Sequence, residues 1–261
     1  MNEPGATHRE TTKREFAKQA ASFEVAGSIF RDRDLLDWIG AHVPVSQTDV
    51  VLDVAGGSGR LGRYLAERAA FAVIADLTPE MLAAGASSAA EDGERNVLFT
   101  EGDATRLPFP DAQFDLVVSR FAYHHLDDPG LAAREMARVC RPGGLVAVID
   151  MVAEDSGTRA RRDELEQLRD PSHARALALD ELIGLLQEAD VAAELASERH
   201  RTLDAVRWIE QGQPSEAAAR EVLAALEAEA DGGPATGLEA TRAEEGLVIR
   251  HLYVIAAGRR G

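Results

Sequence analysis

Cysteine is almost absent from this sequence, since Cys140 is the only one among 261 residues. A single thiol cannot form a disulfide within the chain, so the fold cannot depend on an internal disulfide framework, and this composition suits a reducing cytoplasm. Long apolar runs are absent too. No stretch reaches the roughly 18 consecutive apolar residues of a membrane-spanning helix, and the first ten residues, MNEPGATHRE, are polar. We therefore expect a cytoplasmic protein with no membrane span and no signal peptide.

Basic residues are scarce relative to acidic ones. The 28 Lys and Arg residues oppose 45 Asp and Glu residues, which gives a formal net charge of −17. Proteins that bind nucleic acids need a basic surface to displace counterions from phosphates. The charge therefore predicts that nucleic acid is not a partner. Hydrophobic residues make up 45% of the chain, which is ordinary for a globular protein and enough for a large core.

What the sequence does contain is a regular alternation of strand-like and helix-like segments. Short apolar runs typical of buried strands are separated by amphipathic stretches and by turns with glycine or proline. The predicted strands are 49–55, 71–77, 96–104, 114–122, 144–152 and 247–257. Strands that alternate with helices through short connections predict an α/β fold, with a doubly wound, mostly parallel sheet and helices on both faces. A hairpin before the final strand predicts that this strand is antiparallel.

The chain divides into two predicted parts. Residues 1–45 carry apolar residues at helical spacing, and we expect them to form an N-terminal helical lid. Residues 46–261 are expected to form the α/β domain. Segments near 156–178 and 204–235 are interpreted as insertions into this domain, since no low-complexity linker separates them from it.

A glycine-rich loop follows the first predicted strand in the stretch VLDVAGGSGRLG, residues 51–62. Its last six residues match the G-x-G-x-x-G pattern that cradles the pyrophosphate of a dinucleotide. However, Asp53 lies inside the approach to this loop, an awkward position for a carboxylate if two phosphates dock nearby. The glycines can instead allow close backbone approach to a ligand without phosphate. A nicotinamide enzyme stays open at this point as one alternative.

Acidic residues lie near the ends of three predicted strands. Asp53 belongs to the first strand, Asp76 to the second, and Asp103 follows the third. Ligands of open α/β sheets bind beyond the carboxyl ends of the strands, so these side chains are expected at one edge. Three carboxylates suit a ligand with a diol, an adenine amino group and positive charge. S-adenosylmethionine has all of these features: a ribose, an adenine, an ammonium and a sulfonium.

Several stretches together resemble a known family. They are VLDVAGGSGRL, ADLTPEML, EGDATRLPFPDAQFDLVVSRFAYHHLDDP and EMARVCRPGG. The set resembles the class I S-adenosylmethionine-dependent methyltransferases, in particular the type 11 branch that includes the ubiquinone and menaquinone biosynthesis methyltransferases. The resemblance is strong over about residues 48–152. It implies a Rossmann-like seven-stranded sheet, mostly parallel with an antiparallel last strand, and S-adenosyl-L-methionine as the cofactor.

The resemblance also implies a cofactor site assembled from the ends of four strands. Asp76 would bind the ribose hydroxyls, and Asp103 would accept a hydrogen bond from the adenine amino group. Arg120 occupies a position where quinone-pathway relatives carry a small hydroxyl residue that contacts the cofactor. The residues expected at the cofactor are Asp53, Ala55, Gly56, Gly57, Gly59, Asp76, Leu77, Met81, Gly102, Asp103, Ala104 and Arg120.

The stretch YHHL holds the catalytic candidates His125, His124 and Tyr123. Quinone-pathway relatives carry Arg-Asn where this chain has the two histidines, which argues against simple assignment to that group. Histidine titrates near neutrality and suits the deprotonation of a phenol, an enol or an acidic carbon. A packed structural histidine is the alternative. Residues expected to face the acceptor are Phe16, Phe23, Asp170, His173 and Arg175.

Taken together, the sequence predicts a transferase that moves a methyl group from S-adenosylmethionine to a small organic acceptor. The acceptor atom is oxygen, carbon or nitrogen, and the expected setting is biosynthesis, in specialised or quinone-like metabolism. A homodimer is left open, and no metal site is expected, because the two adjacent histidines lack further ligands around them. One alternative is an enzyme that binds S-adenosylmethionine and catalyses a cyclisation or rearrangement without methyl transfer. A weaker alternative is an NAD-dependent oxidoreductase.

Overall fold

The computed structural model describes residues 4–23, 32–244 and 246–261. The helices are α1 Pro4–Phe23, α2 Arg33–His42, α3 Arg60–Ala66, α4 Pro79–Glu91, α5 Pro129–Val139, α6 Arg159–Arg169, α7 Leu179–Glu188, α8 Ala205–Gln211 and α9 Glu216–Ala230. The strands are β1 Val50–Val54, β2 Phe71–Asp76, β3 Val97–Glu101, β4 Phe114–Arg120, β5 Cys140–Val152, β6 Glu194–Asp204, β7 Thr241–Ala243 and β8 Gly246–Arg259. A 3-10 helix covers Tyr123–His125.

One mixed sheet organises the described chain, with the strand order β3-β2-β1-β4-β5-β8-β6 and the short β7 paired to β8. Neighbouring strands from β3 to β5 are parallel, while β8 is antiparallel to both β5 and β6. The order reverses between β1 and β4, which is where ligands of such sheets bind. The predicted α/β class, with a mostly parallel sheet and an antiparallel final strand, is confirmed.

The edge strand β6 is one of two strands, with the short β7, that are not among the predicted strands. Its sequence, ELASERHRTLD, is largely polar, and most of its side chains are exposed or half-buried. An edge strand pairs on one side only, so it does not need the continuous apolar run of a central strand. The strand follows α7, and it pairs with β8 over almost its whole length.

Both faces of the sheet are covered, because successive residues of a strand point to opposite faces. In β1, Leu52 and Val54 pack into the cluster that includes α5 and α7, while Val51 packs on the opposite face against α2 and α3. Each large apolar side chain buried in this way contributes about 1.5–3 kcal/mol. The two clusters therefore hold the strand ends, and the loops that follow them, in fixed positions.

A third apolar cluster is formed by the segments that the sequence marks as insertions. Leu165 of α6, Trp208 of α8 and Leu226 of α9 are buried there against Ile249 of β8. This cluster sits beside the carboxyl end of β5, where the parallel part of the sheet gives way to β8. None of the described helices is both long enough and apolar enough to cross a membrane.

Candidate cofactor and acceptor site

A cavity of about 360 Å³ lies along the carboxyl ends of the parallel strands. Its first part is lined by the loops after β1, β2 and β3, which contribute Ala55, Gly56, Gly57, Ser58, Asp76, Leu77, Met81, Gly102, Asp103 and Ala104. Its second part is lined by residues that follow or belong to β4, β5, β8 and α8, namely Phe121, Met151, Trp208, His251 and Tyr253. The cavity therefore spans the point at which the strand order reverses.

The glycine loop turns sharply between β1 and α3. Ala55, Gly57 and Gly59 have positive φ angles of 51°, 59° and 78°, a region that glycine adopts without steric penalty and alanine does not. Gly59 is the N-cap of α3, so it lies at the base of the helix and does not line the cavity. Ala55 and Gly57 do line it, which exposes the loop backbone to a ligand.

Asp53 lies behind this loop and does not line the cavity. Only 1% of the residue is exposed, and its Oδ2 accepts a hydrogen bond of 2.7 Å from the backbone N–H of Gly62. Burial raises the pKa of this carboxyl to about 7, although the Gly62 N–H opposes the shift. Asp53 therefore fixes the glycine loop to α3. Any effect of Asp53 on a ligand is indirect, through the position of this loop.

Asp76 ends β2 and lines the cavity. Its Oδ2 accepts a hydrogen bond of 2.8 Å from the N–H of Gly57, and its Oδ1 accepts one of 2.8 Å from the N–H of Thr78. Burial raises the pKa of Asp76, while these N–H donors oppose the rise. A carboxylate oxygen has more than one lone pair, so Asp76 can hold the loop and still accept from a ligand hydroxyl.

Asp103 lines the same part of the cavity and is held by neighbours on two sides. Its Oδ1 accepts from the N–H and the hydroxyl of Thr105, and its Oδ2 is 2.8 Å from Nη1 of Arg9. Burial acts to raise the pKa of Asp103, but the Thr105 hydrogen bonds and Arg9 outweigh it, so the pKa is lowered. The contact with Arg9 also places α1 across the site.

Arg120, the last residue of β4, lies between the two parts of the cavity. Its Nη1 is fully buried and has no hydrogen-bond partner among the described residues. Burial lowers the pKa of the guanidinium, with Asp53 the largest opposing influence. A buried cationic donor without a partner is costly, so this atom is well suited to meet an anionic group of a ligand.

The two histidines of the 3-10 helix are both buried and both line the cavity, but their partners differ. His124 Nδ1 lies 2.6 Å from Oδ1 of Asp150, a carboxylate on β5 that is itself buried. The other oxygen of Asp150 accepts from the backbone N–H of Tyr123 at 2.8 Å, which fixes the 3-10 helix to the sheet. A carboxylate that accepts from Nδ1–H orients the ring and leaves Nε2 as the basic nitrogen.

His125 has no carboxylate on its ring. Its Nδ1 donates to the backbone carbonyl of Ser172 at 2.9 Å, and the ring packs edge-on against Phe16 at 4.9 Å. Burial lowers the pKa of His125 to about 3, with His124 adding to the effect. The ring of His125 is therefore neutral at physiological pH. Tyr123, the third predicted candidate, points into the core with its hydroxyl on Met136 Sδ, 3.3 Å away, and does not line the cavity.

The residues predicted to face the acceptor separate into two groups. Phe16 and Asp170 line the cavity. His173 does not line the cavity. Its Nε2 is 2.8 Å from Oδ1 of Asp163, and its ring centroid lies 5.7 Å from that of His124. Arg175 is exposed and pairs with Glu181. The side chain of Phe23 lies outside the described residues.

Comparison with known proteins identifies the same part of the chain. Residues 52–148 match a family described as a methyltransferase domain. The methyltransferase YcgJ of Bacillus subtilis is 34% identical over 62% of this chain and 64% of its own length, less than two thirds of that protein. The protein YafE of Escherichia coli is 34% identical over 56% of this chain and 72% of its own length. The crystal structure of YcgJ superposes with a TM-score of 0.79 at 26% identity, covering 87% of this chain and 98% of that one.

The chain belongs to the class I S-adenosylmethionine-dependent methyltransferases. The methyl donor of this family is S-adenosylmethionine. A demethylmenaquinone methyltransferase of Mycolicibacterium gilvum is 42% identical, but over only 43% of this chain and 46% of its own length.

The first part of the cavity of this methyltransferase suits S-adenosylmethionine in its donor and acceptor chemistry. Asp76 and Asp103 would offer carboxylates to ribose hydroxyls and to an adenine amino group, which are hydrogen-bond donors. Arg120 would offer a buried cation to the methionine carboxylate. The residues present fit the donor and acceptor groups of S-adenosylmethionine.

The acceptor part of this methyltransferase contains residues that sequence reasoning missed. Met151, Trp208, His251 and Tyr253 come from distant parts of the chain and converge only in the folded sheet. One signal was available, because His251 is a polar residue within the apolar run of β8, two residues before Tyr253 and so on the same face. A buried polar side chain in a strand is informative, whereas a buried apolar one is not.

Proposed function

We propose that this methyltransferase transfers a methyl group to an oxygen or an acidic carbon of a small organic acceptor, with His124 as the general base. The observation that carries the proposal is the pair formed by His124 and Asp150, buried beside the cavity with Nδ1 and Oδ1 2.6 Å apart. Acceptors that lose a proton on methylation need such a base. An amine that is already neutral does not.

S-adenosylmethionine, when bound, supplies a methyl group on a sulfonium that leaves as a neutral thioether. The nucleophilic atom of the acceptor forms a bond to the methyl carbon as the carbon–sulfur bond breaks, and the bonding electrons stay on sulfur. His124 Nε2 accepts the proton of the acceptor, and Asp150 stabilises the imidazolium that results. Base catalysis of this kind contributes about 10²–10⁴-fold.

Positioning and exclusion of water supply the larger part of the acceleration in this proposal. Holding two reactants in line contributes up to about 7–11 kcal/mol in favourable systems. Helix α1 lies over the cavity, held by Arg9 on Asp103, by His8 on the backbone carbonyl of His125 at 3.0 Å, and by the packing of Phe16. These contacts support the lid function expected for the N-terminal residues.

The acceptor belongs, in this proposal, to specialised or quinone-like metabolism in the cytoplasm. The demethylmenaquinone methyltransferases among the relatives support a ring-containing acceptor, although the matched region is less than half of their length. The two histidines at 124 and 125, in place of the Arg-Asn expected for that pathway, favour a different acceptor within the same chemical range. A homodimer and the absence of nucleic acid from the partners stay predictions.

The test has two stages. Isothermal titration is expected to show that S-adenosylhomocysteine binds, that Asp76→Ala weakens binding by about tenfold or more because a hydrogen-bonded carboxylate is lost, and that Asp231→Ala on the exposed end of α9 does not. Extracts of the host are then incubated with the protein and methyl-labelled S-adenosylmethionine. A new labelled small molecule, absent with His124→Asn, supports the proposal. A new unlabelled product with the methyl donor recovered intact would instead indicate a cyclisation or rearrangement.

A further inference from the structure

The acceptor part of the cavity contains a cluster of three rings that the proposed mechanism does not use. The rings are those of Trp208, His251 and Tyr253, and we call them the β8 ring cluster. The ring centroids of His251 lie 5.9 Å from Trp208 and 6.2 Å from Tyr253, and both contacts are edge-to-face. All three residues line the cavity and are at most 5% exposed. The cluster therefore presents ring surface and ring edges to whatever occupies this space.

The surroundings of His251 favour one tautomer of its neutral ring. Its Nε2 is completely buried, and Oε1 of Glu166, a carboxylate with no exposed surface, lies 4.0 Å from it. Glu166 is also paired with Arg169, so it is ionised. A neighbouring carboxylate favours the tautomer with the proton on Nε2 and leaves Nδ1 as a hydrogen-bond acceptor. Burial beside Arg162 lowers the pKa of His251 to about 3, so the ring is neutral.

Among the described residues, no hydrogen bond reaches either ring nitrogen of His251 or the hydroxyl of Tyr253. Nε2 of His251 is completely buried without a partner, and the interactions of these two side chains are ring contacts and the distant Glu166. The titratable and charged groups that act on His251 are Arg162, Glu166, Arg169 and His124. Polar groups held in an apolar space without partners are costly unless a ligand satisfies them.

The face of Trp208 is occupied on one side by the guanidinium of Arg169, with 4.6 Å between Cζ and the ring centroid. The apolar side chains of Met151 and Leu203 line the same cavity. Flat aromatic ligands pack favourably against such rings in offset or edge-to-face geometry. An aliphatic chain would gain burial here but would leave the acceptor nitrogen of His251 unsatisfied.

From this geometry, and resting on the function proposed above, we infer that the methyl acceptor is a hydroxylated aromatic compound. Its ring packs against Trp208 and Tyr253, and a hydroxyl of the ring donates a hydrogen bond to Nδ1 of His251. His251 is then a specificity residue on the acceptor, on the side of the cavity that β8 provides. His124 takes the proton of the hydroxyl that is methylated, which is a different group from the one on His251.

The test uses two probes of nearly the same shape, catechol and 1,2-dimethoxybenzene, which differ in hydrogen-bond donors. The chain has two tryptophans, so Trp38→Phe leaves Trp208 as the single fluorophore. In that background, with S-adenosylhomocysteine saturating, we expect catechol to quench Trp208 fluorescence and to bind about 5- to 100-fold more tightly than 1,2-dimethoxybenzene. Equal affinity for the two probes, or no binding of catechol, would overturn the inference.

Variants test whether the hydrogen bond to His251, and not a general effect on the fold, sets the preference for catechol. His251→Phe is expected to reduce the preference for catechol to the part that the hydroxyl on His124 contributes, and Tyr253→Phe, which deletes only a hydroxyl, is expected to reduce it less. His200→Phe on the exposed edge strand is the matched control and should keep the preference. A preference as large in His251→Phe as in the wild type contradicts the inference. If S-adenosylhomocysteine binds to all of these proteins while the probes are not distinguished, the acceptor class is wrong and the methyltransferase function stands. If S-adenosylhomocysteine fails to bind to any of them, the proposed function is the part that fails.

Discussion

His124 and His125 are adjacent in the sequence, yet the structure gives their rings opposite characters. His124 is backed by a carboxylate, and His125 is backed by a carbonyl. A sequence pattern shows two titratable groups in one loop but cannot show which of them meets Asp150, because Asp150 lies on a strand that comes later in the chain. The choice of base is therefore a property of tertiary contacts.

The first residue-scale prediction concerns the His124–Asp150 pair. Asp150→Asn is expected to lower kcat by about 10²–10⁴-fold, because the ring loses the partner that orients it and stabilises its charged form. Affinity for S-adenosylhomocysteine, measured by titration, should stay the same. Asp163→Asn is the matched control, since Asp163 also pairs with a histidine, His173, at 2.8 Å but outside the cavity. An equal loss of kcat in both variants would contradict the assignment.

A second prediction concerns the buried cation at the end of β4. If Arg120 binds the methionine carboxylate, Arg120→Met should weaken S-adenosylhomocysteine by about 10- to 100-fold, the range for a hydrogen bond to a charged group. It should leave 5′-methylthioadenosine, which lacks the amino-acid portion, unaffected. Asp76→Ala should weaken both ligands, because both carry the ribose. Titration of the two ligands against the two variants tests this, and equal weakening of both ligands by Arg120→Met would remove Arg120 from the methionine end.

At the scale of the elements, a part of the site could be predicted from the sequence where its residues lie close together along the chain. The cofactor end is assembled from residues that directly follow β1, β2 and β3, so each strand and its loop can be read as one short motif. The acceptor end depends on β8 and α8, which lie far apart in sequence, and on pairing with β6, a polar edge strand. Neither the pairing nor the convergence is contained in a local pattern.

The packing of α4 against the glycine loop gives a prediction at the same scale. A Cβ on Gly85 would lie 2.4 Å from the backbone oxygen of Ser58, too close for backbone to tolerate. Gly85→Ala should therefore destabilise the protein by about 1–3 kcal/mol and weaken S-adenosylhomocysteine, because the loop must shift. Gly184→Ala in α7, where nothing lies within 4 Å, should instead stabilise it by up to about 1 kcal/mol. Thermal unfolding of both variants measures the contrast, and a loss of stability in Gly184→Ala would show that helix propensity does not govern this position.

For the molecule as a whole, two kinds of buried carboxyl make the stability depend on pH in opposite directions. Burial acts to raise the pKa of Glu166, but the ion pair with Arg169 and the nearby histidines outweigh it and lower the pKa. Its contribution is present above its ordinary pKa of 4.5 and is lost as the pH falls. Asp53 is the reverse case, because burial raises its pKa from 3.8 to about 7.

The sign for Asp53 follows from proton binding. The folded state holds a proton on Asp53 that the unfolded state has released above pH 3.8, so the stabilisation is full below that pH and is lost as the pH rises towards about 7. The ligand-free protein should therefore be most stable in mildly acidic solution, above the range in which Glu166 loses its charge. Asp53→Asn keeps an acceptor for the Gly62 N–H and removes the titration. Thermal unfolding from pH 5 to pH 8 should show a decline in the wild type that is smaller in Asp53→Asn, whereas Asp231→Asn, on the surface, should follow the wild type. Parallel declines in all three proteins would mean that Asp53 is already ionised in the folded state, and the glycine loop would then be held by a charged carboxylate.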